Sequence, residues 1–132
     1  MPHIQNELKR LGLRASKSRG QHFLTRKSVV RQVLVAARLD PGDAIVEVGP
    51  GLGILTRELA TRVRRVIAVE LDPELAQALQ HDQMDLPNLE VLEGDARYLE
   101  INSLLHGEVE YKLVANLPYY AAVPILRRFL EA

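Results

Sequence analysis

The stretch Ala44-Ile-Val-Glu-Val-Gly-Pro-Gly-Leu-Gly53 decides the fold of this 132-residue chain. Its first half, Ala44–Val48, is an apolar run interrupted only by Glu47, which predicts a short buried strand. Its second half holds three glycines in five residues and leads into a helical pattern over Leu52–Arg62. A strand that turns through glycines directly into a helix indicates an alternating β/α fold.

The same alternation continues on both sides of this stretch. Ser28 is a predicted helix N-cap, and Asp72 followed by Pro73 is a strong helix start. The predicted elements are a helix over Ser28–Arg38, strands over Arg65–Glu70, Leu89–Glu93 and Tyr111–Ala115, and helices from Pro73, over Leu99–Leu105 and over Val123–Leu130, the last with Pro124 near its start. Four short strands joined by helices predict a parallel sheet covered on both faces. Because no strand follows the final helix, we expect the chain to be the N-terminal part of a longer protein.

The charges are unevenly distributed, although 17 basic and 17 acidic side chains give a formal net charge of zero. Residues 1–31 hold eight basic side chains and one acid, a net charge of +7, and the rest of the chain balances this with −7. We therefore predict a basic arm over residues 1–27 and a globular domain over residues 28–132. A basic arm on an acidic body indicates a polyanionic partner.

The composition excludes several classes of site. The chain has no cysteine, which excludes disulfides, thiolate zinc sites and cysteine nucleophiles. Its four histidines lack metal-ligand spacing, so no metal site is predicted. No apolar run approaches the roughly 20 residues of a membrane span, and the first residues do not resemble a secretory signal. We predict no membrane association and a cytoplasmic location.

The chemistry-bearing residues follow the predicted strands. Ligands of open parallel sheets bind outside the carboxyl ends of the strands. The loop that contains Gly49 and Gly51 suits close approach of the backbone to a ligand. A nicotinamide-dinucleotide loop would carry a further glycine at position 54, where this chain has Ile54, and this disfavours an oxidoreductase.

Two acids complete a predicted nucleoside pocket. Glu70 ends the second strand, where a carboxylate can accept hydrogen bonds from both ribose hydroxyls. Asp95 follows the third strand and could accept a hydrogen bond from an adenine amine.

The most specific pattern is Asn116-Leu117-Pro118-Tyr119, after the fourth strand. The Asn116 amide oxygen and the carbonyl before Pro118 present two acceptors to one point, and Tyr119 offers a stacking face for a base. Acceptors that hold the hydrogens of an aromatic amine favour its pyramidal form and direct its lone pair, so we predict a catalytic role for this motif.

These motifs together resemble the ribosomal RNA adenine dimethyltransferases, the small-subunit dimethyladenosine transferases linked to kasugamycin sensitivity. The resemblance covers essentially the whole chain. It rests on Gly20-Gln-His-Phe-Leu24, Val46-Glu-Val-Gly-Pro-Gly-Leu-Gly53, Val69-Glu-Leu-Asp72, Gly94-Asp-Ala96 and Asn116-Leu-Pro-Tyr119. It implies the N-terminal half of a Rossmann-like class I methyltransferase fold that uses S-adenosylmethionine.

The resemblance also implies roles for individual residues. The cofactor would be contacted by His22, Leu24, Gly49, Gly51, Glu70, Leu71, Asp95, Ala96 and Asn116. Asn116 would also contact the target amine, on whose adenine Tyr119 would stack. The family dimethylates two adjacent adenosines in the 3′-terminal hairpin of small-subunit rRNA and acts in subunit assembly. Its further strands and helical C-terminal domain supply much of the RNA-binding surface, so we expect this chain alone to have little or no catalytic activity. We expect the full-length protein to be a monomer.

Two alternatives remain open at this stage. One is a non-catalytic rRNA-binding or assembly module that keeps the cofactor fold. The other is a large-subunit rRNA adenine methylase of the macrolide-resistance type, against which Pro124-Ile125-Leu126 favours the small-subunit group.

We predict that the basic arm binds rRNA phosphates through Lys9, Arg10, Arg14, Lys17 and Arg19. Replacing Lys9, Arg10, Arg14 and Lys17 by glutamine should weaken RNA binding and flatten its dependence on salt, because fewer counterions are released. Filter binding of a small-subunit rRNA fragment across a salt series measures both. Unchanged affinity and salt slope would show that the arm is only a solvated tail.

Overall fold

The computed structural model describes residues 27–115 and 119–131. The described elements are α1 (Lys27–Ala36), β1 (Ala44–Val48), α2 (Ile54–Ala60), β2 (Arg65–Glu70), α3 (Pro73–Asp82) with a 3₁₀ turn (Gln83–Asp85), β3 (Leu89–Glu93), α4 (Ile101–Leu105), β4 (Lys112–Ala115) and α5 (Tyr119–Glu131). Strand and helix alternate along the chain, as the apolar runs predict.

The four strands form one parallel sheet in the order β3-β2-β1-β4. The chain moves outward from β1 to β3 and then crosses to the other side of β1. Because crossovers between parallel strands are right-handed, this reversal places the following helices on the opposite face of the sheet. The carboxyl end of β1, beside β4, is therefore the topological switch point where ligands bind in such sheets.

Alternate residues of each strand pack into two cores, one on each face. Ile45 of β1 packs with α1, α2 and α3, whereas Val46 and Val48 pack with α4 and α5. Glu47 lies between them in sequence and therefore faces α2 together with Ile45. Both cores are built from helix residues spaced three or four apart, the second including Ile101, Leu104, Leu105, Ile125 and Phe129.

The predicted strands β1, β2 and β3 are confirmed to the residue, but several helix ends differ from the prediction. Helix α2 begins at Ile54 rather than Leu52, because Gly53 has a φ of 81° and closes a turn by donating its N–H to the Pro50 carbonyl at 2.9 Å. Helix α4 begins at Ile101 rather than Leu99, after Glu100 caps it.

The predicted start of the last helix is wrong. Helix α5 begins at Tyr119, four residues before Val123, so Pro124 lies inside the helix. Alanine is the strongest helix former, and Ala121-Ala122 extend the helix toward its amino end. The fixed φ of proline suits a helix, and its missing N–H removes one bond from the helical ladder.

Gly53 offers a direct test of how α2 and α3 pack. A Cβ atom on Gly53 would lie 2.4 Å from Cδ1 of the buried Leu79, and the φ of 81° is itself unfavourable for other residues. We expect Gly53→Ala to lower the free energy of unfolding by about 2–4 kcal/mol, from left-handed strain and overpacking together.

Gly107→Ala is the matched control, because Gly107 has a φ of 86° with nothing within 4 Å of the added Cβ. In this variant only the left-handed strain should lower the free energy of unfolding, by about 1–2 kcal/mol. Urea unfolding of both variants measures the difference, and equal losses would contradict the packing of Gly53 against Leu79.

Candidate functional site

The carboxyl ends of β1, β2 and β3 bring six of the nine residues predicted to contact the cofactor to one edge of the sheet. Gly49 and Gly51 follow β1, Glu70 ends β2, and Asp95 follows β3 by one turn residue. The backbone links these segments, since the Gly49 N–H donates to the Val69 carbonyl at 3.0 Å and the Gly94 N–H to the Glu70 carbonyl at 2.9 Å. The predicted convergence of these segments is present in the structure.

The glycine loop adopts a backbone conformation that is unfavourable for residues with a side chain. Gly49 and Gly51 have φ values of 77° and 59°, in the left-handed region. A residue with a Cβ atom would be strained at either position. The loop therefore keeps its backbone bare at the switch point, where a ligand can approach closely.

Glu70 connects this loop to the next helix. Its side chain is 3% exposed; Oε1 accepts the Gly51 N–H at 3.0 Å, and Oε2 accepts the Asp72 N–H at 2.8 Å. Burial raises the pKa of the Glu70 carboxyl, and the hydrogen bonds from Asp72 and Gly51 oppose that shift. The Leu71 backbone N–H also acts on this carboxylate, so three of its roughly four acceptor positions are used and one remains for a ligand hydroxyl.

Leu71 and Ala96, two apolar residues predicted to contact the cofactor, lie at the same edge. Leu71 is 49% exposed, although it follows a buried strand directly. Ala96 is buried in the core beneath the sheet edge. An exposed leucine and a small buried residue on neighbouring segments could contact a planar ring from two sides.

Asp95 is already engaged by Arg97. The Arg97 guanidinium donates to both carboxylate oxygens, with the shortest contact from Nη2 to Oδ2 at 2.7 Å, and the Arg97 N–H donates to Oδ1 at 2.9 Å. The hydrogen bonds from Arg97 hold the pKa of the Asp95 carboxyl below its ordinary value. Asp95 is thus kept as a carboxylate acceptor, and an adenine amine would share it with Arg97.

Glu47 is a buried acid for which no role is predicted from the sequence. It is fully buried, and its Oε1 accepts the Thr56 hydroxyl at 2.5 Å. Within the described part of the chain, Oε2 has no hydrogen-bond partner. Burial raises the pKa of Glu47 to about 7, the Thr56 bond lowers it, and repulsion from Glu70 raises it further. The one sign in the sequence that Glu47 has a special environment is that it interrupts an apolar strand. The sequence does not show that Thr56 is its hydrogen-bond partner.

Several predicted site residues cannot be placed. His22, Leu24, the five basic arm residues, and Asn116, Leu117 and Pro118 lie outside the described residues. Tyr119 is the first residue of α5. Among the described residues, no cluster of acidic and histidine side chains could hold a metal ion. No helix in the same part of the chain is long and apolar enough to cross a membrane.

The raised pKa of Glu47 predicts how stability depends on pH. A carboxyl that binds its proton more tightly when folded stabilises the fold fully below its ordinary pKa of 4.5, and this stabilisation is lost as the pH rises through about 7. Between pH 4.5 and pH 8, we expect the free energy of unfolding to fall by on the order of 3 kcal/mol more in the wild type than in Glu47→Gln. This magnitude follows because each unit of pKa shift corresponds to about 1.4 kcal/mol.

Urea unfolding at several pH values measures this difference. Glu110→Gln, a change at an exposed glutamate before β4, is the control and should follow the wild type. Parallel curves for the wild type and Glu47→Gln would show that Glu47 titrates normally.

Comparison with known proteins supports the same fold and family. Residues 12–132 match the family described as ribosomal RNA adenine dimethylase. The chain is 48% identical over 120 residues to ribosomal RNA small subunit methyltransferase A of Dehalococcoides mccartyi strain 195, covering 91% of this chain and 41% of that protein. It is 44% identical to the protein of the same name from Moorella thermoacetica, covering 92% of this chain and 45% of the relative. The chain thus spans less than half the length of these relatives.

Solved structures show the same fold. The 23S rRNA methyltransferase ErmE superposes with a TM-score of 0.72 at 35% identity, covering 84% of this chain and 43% of the other. A dimethyladenosine transferase from Plasmodium falciparum gives a TM-score of 0.71 at 24% identity, covering 84% of this chain and 39% of the other. The fold is that of the class I methyltransferases, and the chain belongs to the ribosomal RNA adenine dimethylase family.

Proposed function

We propose that this chain binds S-adenosylmethionine at the carboxyl edge of its sheet. The observation that carries the proposal is the buried Glu70 carboxylate at the switch point, which is tied to the bare backbone of Gly51. Glu70 would accept the ribose hydroxyls, Asp95 the adenine amine, and Leu71 and Ala96 would flank the ring. Gly49 and Gly51 would line the cofactor, together with His22, Leu24 and Asn116 from the segments outside the described residues.

The residues at this edge suit such a ligand. Glu70 keeps an acceptor position beside its three backbone hydrogen bonds, and the loop has no side chain at Gly49 and Gly51, whose positive φ values favour glycine. Glu47 and Glu70 also place two acidic groups beside the switch point. S-adenosylmethionine, when bound, supplies an electrophilic methyl group.

We further propose that the protein dimethylates two adjacent adenosines of small-subunit rRNA, in the cytoplasm and during assembly of the subunit. Its membership in the rRNA adenine dimethylase family and its similarity to the small-subunit methyltransferases support this. Asn116 and the Leu117 carbonyl would accept the amine hydrogens, Pro118 would fix their geometry, and Tyr119 would hold the base. The basic arm over residues 1–27 would bind rRNA phosphates, and the activity of the whole protein would draw on regions that the relatives have beyond the matched part.

A second candidate is methylation of large-subunit rRNA, which the superposition on the 23S rRNA methyltransferase ErmE favours. Transfer of radiolabelled methyl groups to undermethylated small and large subunits separates the two substrates. The test uses this chain and a version with the length of its relatives. We expect the longer version to label small subunits, in amounts that approach four methyl groups per subunit. Preferential labelling of large subunits would overturn the substrate, and RNA binding without labelling of either subunit would favour a non-catalytic assembly module.

Cofactor binding is tested directly by titration calorimetry with S-adenosylmethionine and, as a comparison, with NAD. We expect binding of the first and none of the second. Glu70→Ala should weaken cofactor binding by about 1–3 kcal/mol, because hydrogen bonds to a charged acceptor are lost.

Glu110→Ala is the matched control for this measurement, since Glu110 is exposed and precedes β4 at the opposite edge of the sheet. It should bind the cofactor as the wild type does. A dissociation constant that Glu70→Ala leaves unchanged would remove Glu70 from the pocket.

A further inference from the structure

Arg128 of α5 reaches across to the segment that follows β3. Its side chain is partly buried, and its guanidinium donates from Nη1 to the Ala96 carbonyl at 2.8 Å and from Nη2 to the Leu99 carbonyl at 3.0 Å. The two acceptors are three residues apart on one turn. The planar guanidinium presents both N–H groups in a fixed fork, so it sets the distance and orientation of both carbonyls at once.

The turn that Arg128 holds is organised around Asp95. The N–H groups of Tyr98 and Leu99 both donate to the Asp95 carbonyl, at 2.9 and 3.2 Å. The Gly94 N–H ties the start of the turn to the Glu70 carbonyl. Fixing the Ala96 and Leu99 carbonyls from α5 therefore fixes the backbone of the turn from which Asp95 and Ala96 face the site.

Helix α5 is a firm support for this contact. Ile125 and Phe129 are buried in the core that also contains Ala96. The Tyr111 hydroxyl donates to the Phe129 carbonyl at 3.3 Å, and the two rings meet edge to face with 6.1 Å between their centroids. Arg128, adjacent to Phe129, is thus anchored to the sheet through its own helix.

We propose that Arg128 is a positioning residue for the adenine end of the cofactor. Through the Ala96 and Leu99 carbonyls it sets the place of Asp95, and it links that place to α5, whose first residue belongs to the motif Asn116–Tyr119. The proposal rests on the proposed cofactor site. It assigns Arg128 no contact with the cofactor, and it distinguishes Arg128 from Arg97, which pairs with the Asp95 carboxylate itself.

The test compares two ligands that differ only at the adenine amine. S-adenosylhomocysteine carries the 6-amino group, and its 6-unsubstituted purine analogue carries a hydrogen in its place. In the wild type we expect the amine to improve binding by about tenfold or more, the value of a hydrogen bond to a charged acceptor. Arg128→Met should reduce that preference to about twofold or less, because the turn that carries Asp95 is no longer fixed to α5.

Two further variants keep the test decisive. Arg128→Lys retains the charge but not the fork, and should show an intermediate preference. Arg127→Met changes the exposed neighbour on the same helix and should match the wild type. Calorimetry is carried out at a temperature at which circular dichroism shows each variant folded, and Arg128→Lys decides the outcome if Arg128→Met does not fold.

The outcomes separate this inference from the proposed function. If the wild type binds neither ligand, the cofactor site itself is wrong, and the inference falls with it. If the wild type binds both equally, Asp95 does not recognise the amine, and Arg128 has nothing to position. If the wild type prefers the amine and folded Arg128 variants keep the full preference, the inference is overturned while the cofactor site stands. A purely structural role for Arg128 would weaken both ligands equally and leave the preference unchanged.

Discussion

The site depends on one buried carboxylate, Glu70, which accepts the N–H groups of Gly51 and Asp72. Burying a carboxylate is unfavourable unless charged hydrogen bonds compensate for the lost hydration, and these two N–H groups provide that compensation. One of them lies in the loop after β1 and the other at the N-cap of α3. The same contact therefore stabilises an otherwise unfavourable charge and fixes the distance between the glycine loop and the next β/α unit.

Glu47, a second buried acid near Glu70, lowers the stability of the fold. It lies in the middle of the sheet next to Ala68, its charge is opposed by burial and by Glu70, and its Oε2 is unpartnered among the described residues. A hydrophobic residue at this position would pack without an electrostatic penalty. The chain instead keeps two acidic groups near the edge where a cationic cofactor is proposed to bind, at the expense of stability above neutral pH.

Much of this architecture could be predicted from the sequence, because β1 and β2 are apolar runs and β3, although it carries Glu90 and Glu93, is bounded by turn residues. The convergence of Gly51, Glu70 and Asp95 also followed from the sequence, since carboxyl ends of parallel strands meet at one edge. Helix ends were less predictable: the start of α5 was set by Ala121-Ala122 rather than by Pro124. The contacts of Thr56 with Glu47 and of Arg128 with the turn after β3 could not be predicted, because they join different elements of the fold. Arg97 is only two residues from Asp95, but the sequence does not show that the two side chains pair.

We place the cofactor at the carboxyl edge of β1, β2 and β3, and an amide NMR titration with S-adenosylhomocysteine tests that placement most directly. This placement predicts that the largest chemical-shift changes fall on three segments: residues 49–53, residues 70–72 and residues 94–99. Smaller changes should reach the side-chain Nε–H of Arg128. Changes confined to the opposite edge of the sheet, around Arg64, Arg65 and Glu90, or no changes at saturating ligand, would contradict it.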